Sequence, residues 1–106
     1  MPIIKNEKGK IVVLNCKFDL TGQTAMSLTI TRPDGTNFNR TQATGLSVGP
    51  IDLTVDGETY LANQHVLYTI QDGDFTMDGD HTRKLEISFG ADKRLANIET
   101  VFKVEP

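Results

Sequence analysis

Residues 25–32, Ala-Met-Ser-Leu-Thr-Ile-Thr-Arg, alternate between apolar and hydroxyl side chains. Side chains of an extended strand point to opposite faces in turn, so Met26, Leu28 and Ile30 share one face and Ser27, Thr29 and Thr31 the other. Such a strand needs a core on one side and water on the other. Threonine suits the wet face because its β-branch fits the pleat. Pro33-Asp34-Gly35 follows at once. Proline presets φ and Asp-Gly tolerates the backbone of a tight turn, so the chain must reverse and begin a return strand near Thr36–Phe38.

The same grammar runs along the chain, and no segment carries a helical period. Lys10–Cys16 reads as a first strand, with Val12, Leu14, Cys16 and Phe18 on one parity. Its run Ile11-Val12-Val13-Leu14 is expected to be buried on both faces or to sit at a sheet centre. A short strand is expected at Leu46–Val48. Residues 51–55 and 58–61 flank Asp56-Gly57, a strong two-residue hairpin signal. His65–Ile70 places Val66, Tyr68 and Ile70 on one face. His81–Phe89 turns Leu85, Ile87 and Phe89 inward and Lys84, Glu86 and Ser88 outward. A turn at Gly90–Lys93 leads to a last strand, Leu95–Val104, with Ile98, Thr100, Phe102 and Val104 on one parity. Seven or eight short strands with a turn every ten or so residues are the pattern of an all-β, immunoglobulin-like antiparallel β-sandwich. An up-and-down barrel is the alternative architecture. The expected organisation is a flexible N-terminal arm over residues 1–9 and a single sandwich domain over 10–106.

A chain of 106 residues fits one domain with a modest core. A formal net charge of −3 gives no drive toward phosphate backbones or anionic lipid, so neither nucleic acid nor a membrane is expected as a partner. Cys16 is the lone cysteine and cannot form an intrachain disulfide, so a buried, inert thiol is expected. The N-terminus has no long apolar run after a basic start, and no export signal is expected. The sequon at Asn39-Arg40-Thr41 then reads as a chance match.

Few residues suggest chemistry. Asp72, Asp74, Asp78 and Asp80 crowd one loop with Gly73 and Gly79, which makes them weak calcium candidates. On the EF-hand pattern Asp74, Thr76, Asp78 and Gly79 fill positions one, three, five and six, but position twelve is Leu85 where a glutamate is required. The plainer reading is that Asp and Gly fill turns. His65 and His81, without a second cysteine, have no zinc spacing and are expected to be solvated or partly packed on strands. No cofactor and no catalytic residue is expected. Arg83 shares the inward parity of Leu85 and Ile87; it is expected at the sandwich rim, paired with an aspartate of the 72–80 loop, or facing a partner. Aromatic content is 7% with no Trp, which leaves Tyr60 and Tyr68 as the available sugar-stacking platforms.

Asp19-Leu20-Thr21-Gly22, the strand Leu28-Thr29-Ile30 and the turn Arg32-Pro33-Asp34-Gly35-Thr36 resemble the N-terminal domain of phage upper-baseplate proteins. Phe75-Thr76-Met77-Asp78-Gly79-Asp80 with Leu85-Glu86-Ile87-Ser88-Phe89 resembles that family's strand-turn-strand ending, so the likeness spans about Lys10 to Val104. It implies an immunoglobulin-like sandwich that docks onto other virion subunits without catalysis. Family members continue into further segments, whereas this chain stops at Pro106, so capsid decoration or anchoring of a neck or head fibre is expected beside a baseplate role. The expected partners are major capsid, neck or baseplate subunits, with the chain homo-oligomeric or repeated on the particle. The expected location is the virion, assembled in the host cytoplasm. Ile3, Ile4 and Lys5 of the arm, with Arg83, are the expected partner contacts. The alternative is a cell-surface or carbohydrate-binding module.

Overall fold

The computed structural model describes residues 3–95 and 101–106. These form β1 (Ile3–Ile4), β2 (Ile11–Asn15), β3 (Ala25–Thr31), β4 (Asn37–Thr41), a 3-10 turn (Gln42–Thr44), β5 (Leu46–Val48), β6 (Leu53–Val55), β7 (Glu58–Tyr60), β8 (His65–Thr69), β9 (Gly79–Phe89), β10 (Asp92–Leu95) and β11 (Val101–Glu105). The chain is all-β and sandwich-like. One sheet runs β1-β11-β9-β3-β4, with β10 also on β9; a second runs β2-β8-β5; β6 and β7 pair only with each other.

The alternating segments lie where their parity requires. Met26, Leu28 and Ile30 of β3 meet Ile87, Leu85 and Arg83 of β9 in antiparallel register. Leu14, Val66, Tyr68 and Leu46 come from the second sheet, and the two sets bury one common core. Fully burying each such aliphatic side chain contributes roughly 1.5–3 kcal/mol.

Three expectations change. Strand segments among the described residues number eleven because two-residue and three-residue ladders form beside the long ones. The last strand is two pieces: β10 turns back on β9 through Gly90-Ala91, and β11 pairs farther along β9. Both lie on the edge of β9 opposite β3, since each shares β9 residues with the β3 ladder. The expected inward faces of Ile98 and Thr100, and the Phe102 side chain, lie outside the described residues.

The third change concerns the N-terminal arm. From Ile3 onward it is docked. Ile3 is 2% exposed, and β1 runs parallel to β11 with Ile3 opposite Val104. Lys5 N donates to Glu105 O (2.7 Å), Asn6 N to Phe75 O (2.7 Å) and Gly9 N to Ile70 O (2.8 Å). An apolar side chain that reaches the core, with its backbone paired along the way, gains more than a solvated arm does. Met1 and Pro2 lie outside the described residues.

Candidate functional site

The acidic loop divides. Asp72, Asp78 and Asp80 are exposed, whereas Asp74 is fully buried. The turn 71–74 makes this possible: Gly73 takes φ 84°, and Asp74 N donates to Gln71 O. The carboxylate then faces inward. Its Oδ2 accepts from Gln71 N (3.0 Å), Arg40 Nε (3.3 Å) and the Tyr68 hydroxyl, and its Oδ1 accepts from Arg40 Nη2. Burial first, then the bond to Asp74, pushes the Tyr68 hydroxyl well above its ordinary range. Hydrogen bonding to Asp74 holds Arg40 further on its charged side. Asp74 is therefore committed to protein donors. Among the described residues no cluster of three or more His, Cys, Asp or Glu side chains is placed to hold a metal ion.

The neighbouring Phe75 is buried against Phe38 (centroids 6.1 Å) and His81 (5.2 Å). The guanidinium groups of Arg32 and Arg40 lie over the Phe38 ring at 4.5 and 5.0 Å. Arg32 also donates to Gly73 O (3.3 Å). The loop is thus fastened to the β3–β4 hairpin.

Ile3, Ile4, Lys5 and Arg83 are not gathered into one surface by any contact described above. Ile3 is core, Ile4 is exposed on β1, and Arg83 is half-buried on β9 across from Ile30, near the end of β3. The histidines are buried rather than solvated or partly packed. His65 meets the Tyr60 ring at a tilt of 59° (centroids 5.9 Å) and its Nδ1 lies 2.7 Å from Leu61 O. Gly49 packs so closely on this ring that a Cβ there would meet Nε2 at 1.8 Å. His81 has Nδ1 at 3.2 Å from Gly79 O. Tyr68 is buried and Tyr60 half-buried, so the two do not form an exposed aromatic platform. Burial raises the Cys16 thiol to about 11, and a neutral thiol is a poor nucleophile.

Strand β2 departs most from expectation. Among the described residues it is an edge of the second sheet, not its centre. Ile70 N donates to Lys10 O and Cys16 N to Gln64 O, so residues of even number turn their backbone groups toward β8. By the antiparallel alternation, the N–H and C=O groups of Ile11, Val13 and Asn15 point away from the sheet. Ile11 is 52% exposed. The strand holds no charge, proline or bulge, the usual devices that blunt an edge. Charges of both signs flank it: Lys5, Lys8, Lys10 and Lys17 stand with Glu7, which pairs with Lys10 at 3.6 Å, and Asp19. Between Arg40 and Arg83 the chain has no Lys or Arg and seven carboxylates. Three of these lie on or beside the β6–β7 hairpin, where Glu58 accepts from Asn15 Nδ2 at 3.4 Å. This segregation was legible in the order of charges; that β2 is an edge was not, because an apolar run reads alike at centre and edge.

No family model, curated protein or solved structure matches the chain significantly.

Proposed function

We propose that the chain is a non-enzymatic structural module of a tailed-phage particle, an immunoglobulin-like sandwich that docks onto neighbouring virion subunits. The observation that carries the docking reading is the uncharged edge of β2, which no described strand covers, with Ile11 exposed on it. Such an edge is a template for pairing with another chain. The strand order supports the immunoglobulin-like reading. If β2, β3, β5, β8, β9 and β11 stand for strands B, C, D, E, F and G, the sheets are B-E-D and G-F-C, with β4 beside C. The virion assignment rests on the resemblance of the Asp19–Gly22 and Arg32–Thr36 turns and the 75–89 segment. Repetition on a particle would let weak single contacts add up.

The test is quantitative mass spectrometry of purified particles from the phage or prophage that carries the chain. Many copies per head are expected for decoration and few copies for a neck or baseplate position. Absence from particles overturns the virion reading.

A further inference from the structure

We propose that Asp56-Gly57, the tip of the β6–β7 hairpin, is a self-modifying site. There the folded chain converts aspartate to isoaspartate ahead of its other three Asp-Gly pairs, and the change loosens this hairpin alone. The four pairs stand at 34–35, 56–57, 72–73 and 78–79. The step is a ring closure within the chain. Gly57 N attacks Asp56 Cγ of the neutral acid, a C–N bond forms, and the proton of the nitrogen leaves with the carboxyl hydroxyl as one water. Water then opens the five-membered succinimide. Addition at Cγ restores aspartate. Addition at the backbone carbonyl carbon breaks its bond to Gly57 N, and the chain then runs through Cβ as isoaspartate. No oxidant or cofactor takes part, and the mass is unchanged. Glycine suits the second position because no side chain shields its nitrogen.

The four pairs differ in what holds them. Asp34 Oδ1 accepts from Thr36 N (3.0 Å) and Thr36 Oγ1 (2.6 Å), which holds its carboxyl below the usual carboxylate range and ties it in place. Asp72-Gly73 is the centre of the 71–74 turn, clamped by Asp74 N on Gln71 O, by Arg32 on Gly73 O and by the buried Asp74 beside it. Gly79 opens β9 opposite Val104, and a Cβ there would lie 3.1 Å from Pro33 Cγ. Asp56 and Gly57 are both exposed. Among the described residues neither the Asp56 carboxylate nor Gly57 N has a hydrogen-bond partner. Their φ angles, 51° and 81°, form a two-residue turn that closes on Val55 and Glu58 and leaves Gly57 N–H outside the ladder. Ring closure needs the Gly57 nitrogen to swing toward Cγ, so the tip must open. Strands β6 and β7 have three residues each and, among the described residues, pair only with each other. So short a two-stranded ladder opens at small cost. The contacts that fasten the hairpin, Glu58 on Asn15, Tyr60 on His65 and Asp52 on Ala62 N, lie behind the two turn residues.

The experiment holds the full chain for several weeks at mildly acidic pH and physiological temperature. Peptides are then mapped by electron-transfer fragmentation, which tells the two isomers apart at each position. Isoaspartate at 56 should exceed that at 34, 72 or 78 by about fivefold or more, because the tip opens most readily. In heavy-oxygen water each converted copy should take up one solvent oxygen. In urea the fold no longer shields the other pairs, and the lead of 56 should fall to about twofold or less. Asp56→Asn should convert several-fold faster, since ammonia leaves an amide more readily than water leaves the acid. Asp56→Glu, which would need a six-membered ring, should not convert. Isoaspartate places one more atom in the main chain of the turn. A fast-exchanging fraction should therefore grow with time at the Val55 and Glu58 amides and not at Leu67 or Leu85. No isoaspartate at 56, equal amounts at another pair, no uptake of solvent oxygen, or a lead undiminished in urea would each overturn the proposal. So would conversion of the Asp56→Glu variant, an Asp56→Asn variant no faster than wild type, or unchanged exchange at Val55 and Glu58.

Discussion

Asp74 holds more of the fold than any other polar side chain described. One carboxylate accepts from a guanidinium, a phenol and a backbone amide; Asp74 and Tyr68 are buried, and Arg40 and Gln71 are half-buried. Removing one partner of a buried pair leaves the others desolvated and unpaired. Asp74→Ala should cost about 3–5 kcal/mol in urea unfolding. Tyr68→Phe, which deletes one hydroxyl, should cost about 1–2 kcal/mol. Because the groups share one acceptor, the double variant should fall short of the sum. Cys16 sets a pH limit. Its folded pKa is raised from 9.0 to about 11, so below pH 9 both states keep the proton and the contribution is fully present. Above pH 9 the unfolded chain ionises first, and stability is lost as pH rises toward 11, by about 2–3 kcal/mol. Tyr68 is shifted in the same direction, from 10.0. Cys16→Ser or Cys16→Ala should flatten the midpoint-against-pH curve over this window, and an unchanged slope would assign the loss elsewhere.

Elements with two distinct faces were legible before the structure, and elements defined by what lies beside them were not. The parity of β3 and β9 names their inward residues because each has one wet side. Strand β1 has two residues and no period to read. Arg40 and Asp74 are separated by 34 positions and meet only once β4 and the 71–74 turn are both in place. The burial of His65 depends on its position, since Gly49 just after β5 and Tyr60 on the hairpin close over it. That contact gives a clean test. The φ of Gly49 is not positive, so an added methyl meets only steric resistance from the ring. Gly49→Ala should therefore destabilise by about 2–3 kcal/mol through overpacking. Pairing it with His65→Ala should recover part of the loss. No recovery would show that the ring is not what the methyl strikes.

At the scale of the molecule, the first and last strands are neighbours. Parallel β1 on β11 closes one side of the large sheet, and Ile3 with Val104 belongs to the shared core. Ile3→Ala should cost about 2–4 kcal/mol, a core-sized loss for a residue near the terminus. A loss below 0.5 kcal/mol in thermal or urea unfolding would mean that β1 is dispensable. The order of charges also belongs to this scale: the basic N-terminal stretch lies against part of the acidic middle, through Asn6 on Phe75 and Gly9 on Ile70, so the two are brought together by the fold.

The pairing of β1 with β11 also orders events during translation. Ile3 is synthesised about a hundred residues before its partner Val104, an interval on the order of 5–20 s. Until β11 is made β9 lacks that edge partner, and Ile3 has nowhere to lodge. Strand β11 therefore acts as the latch, and a product terminated before it is left open and prone to cleavage. Ribosome-stalled chains cut at residue 95 should be digested quickly by added protease and chains carried through residue 106 should resist, each being followed by the same tunnel-length linker.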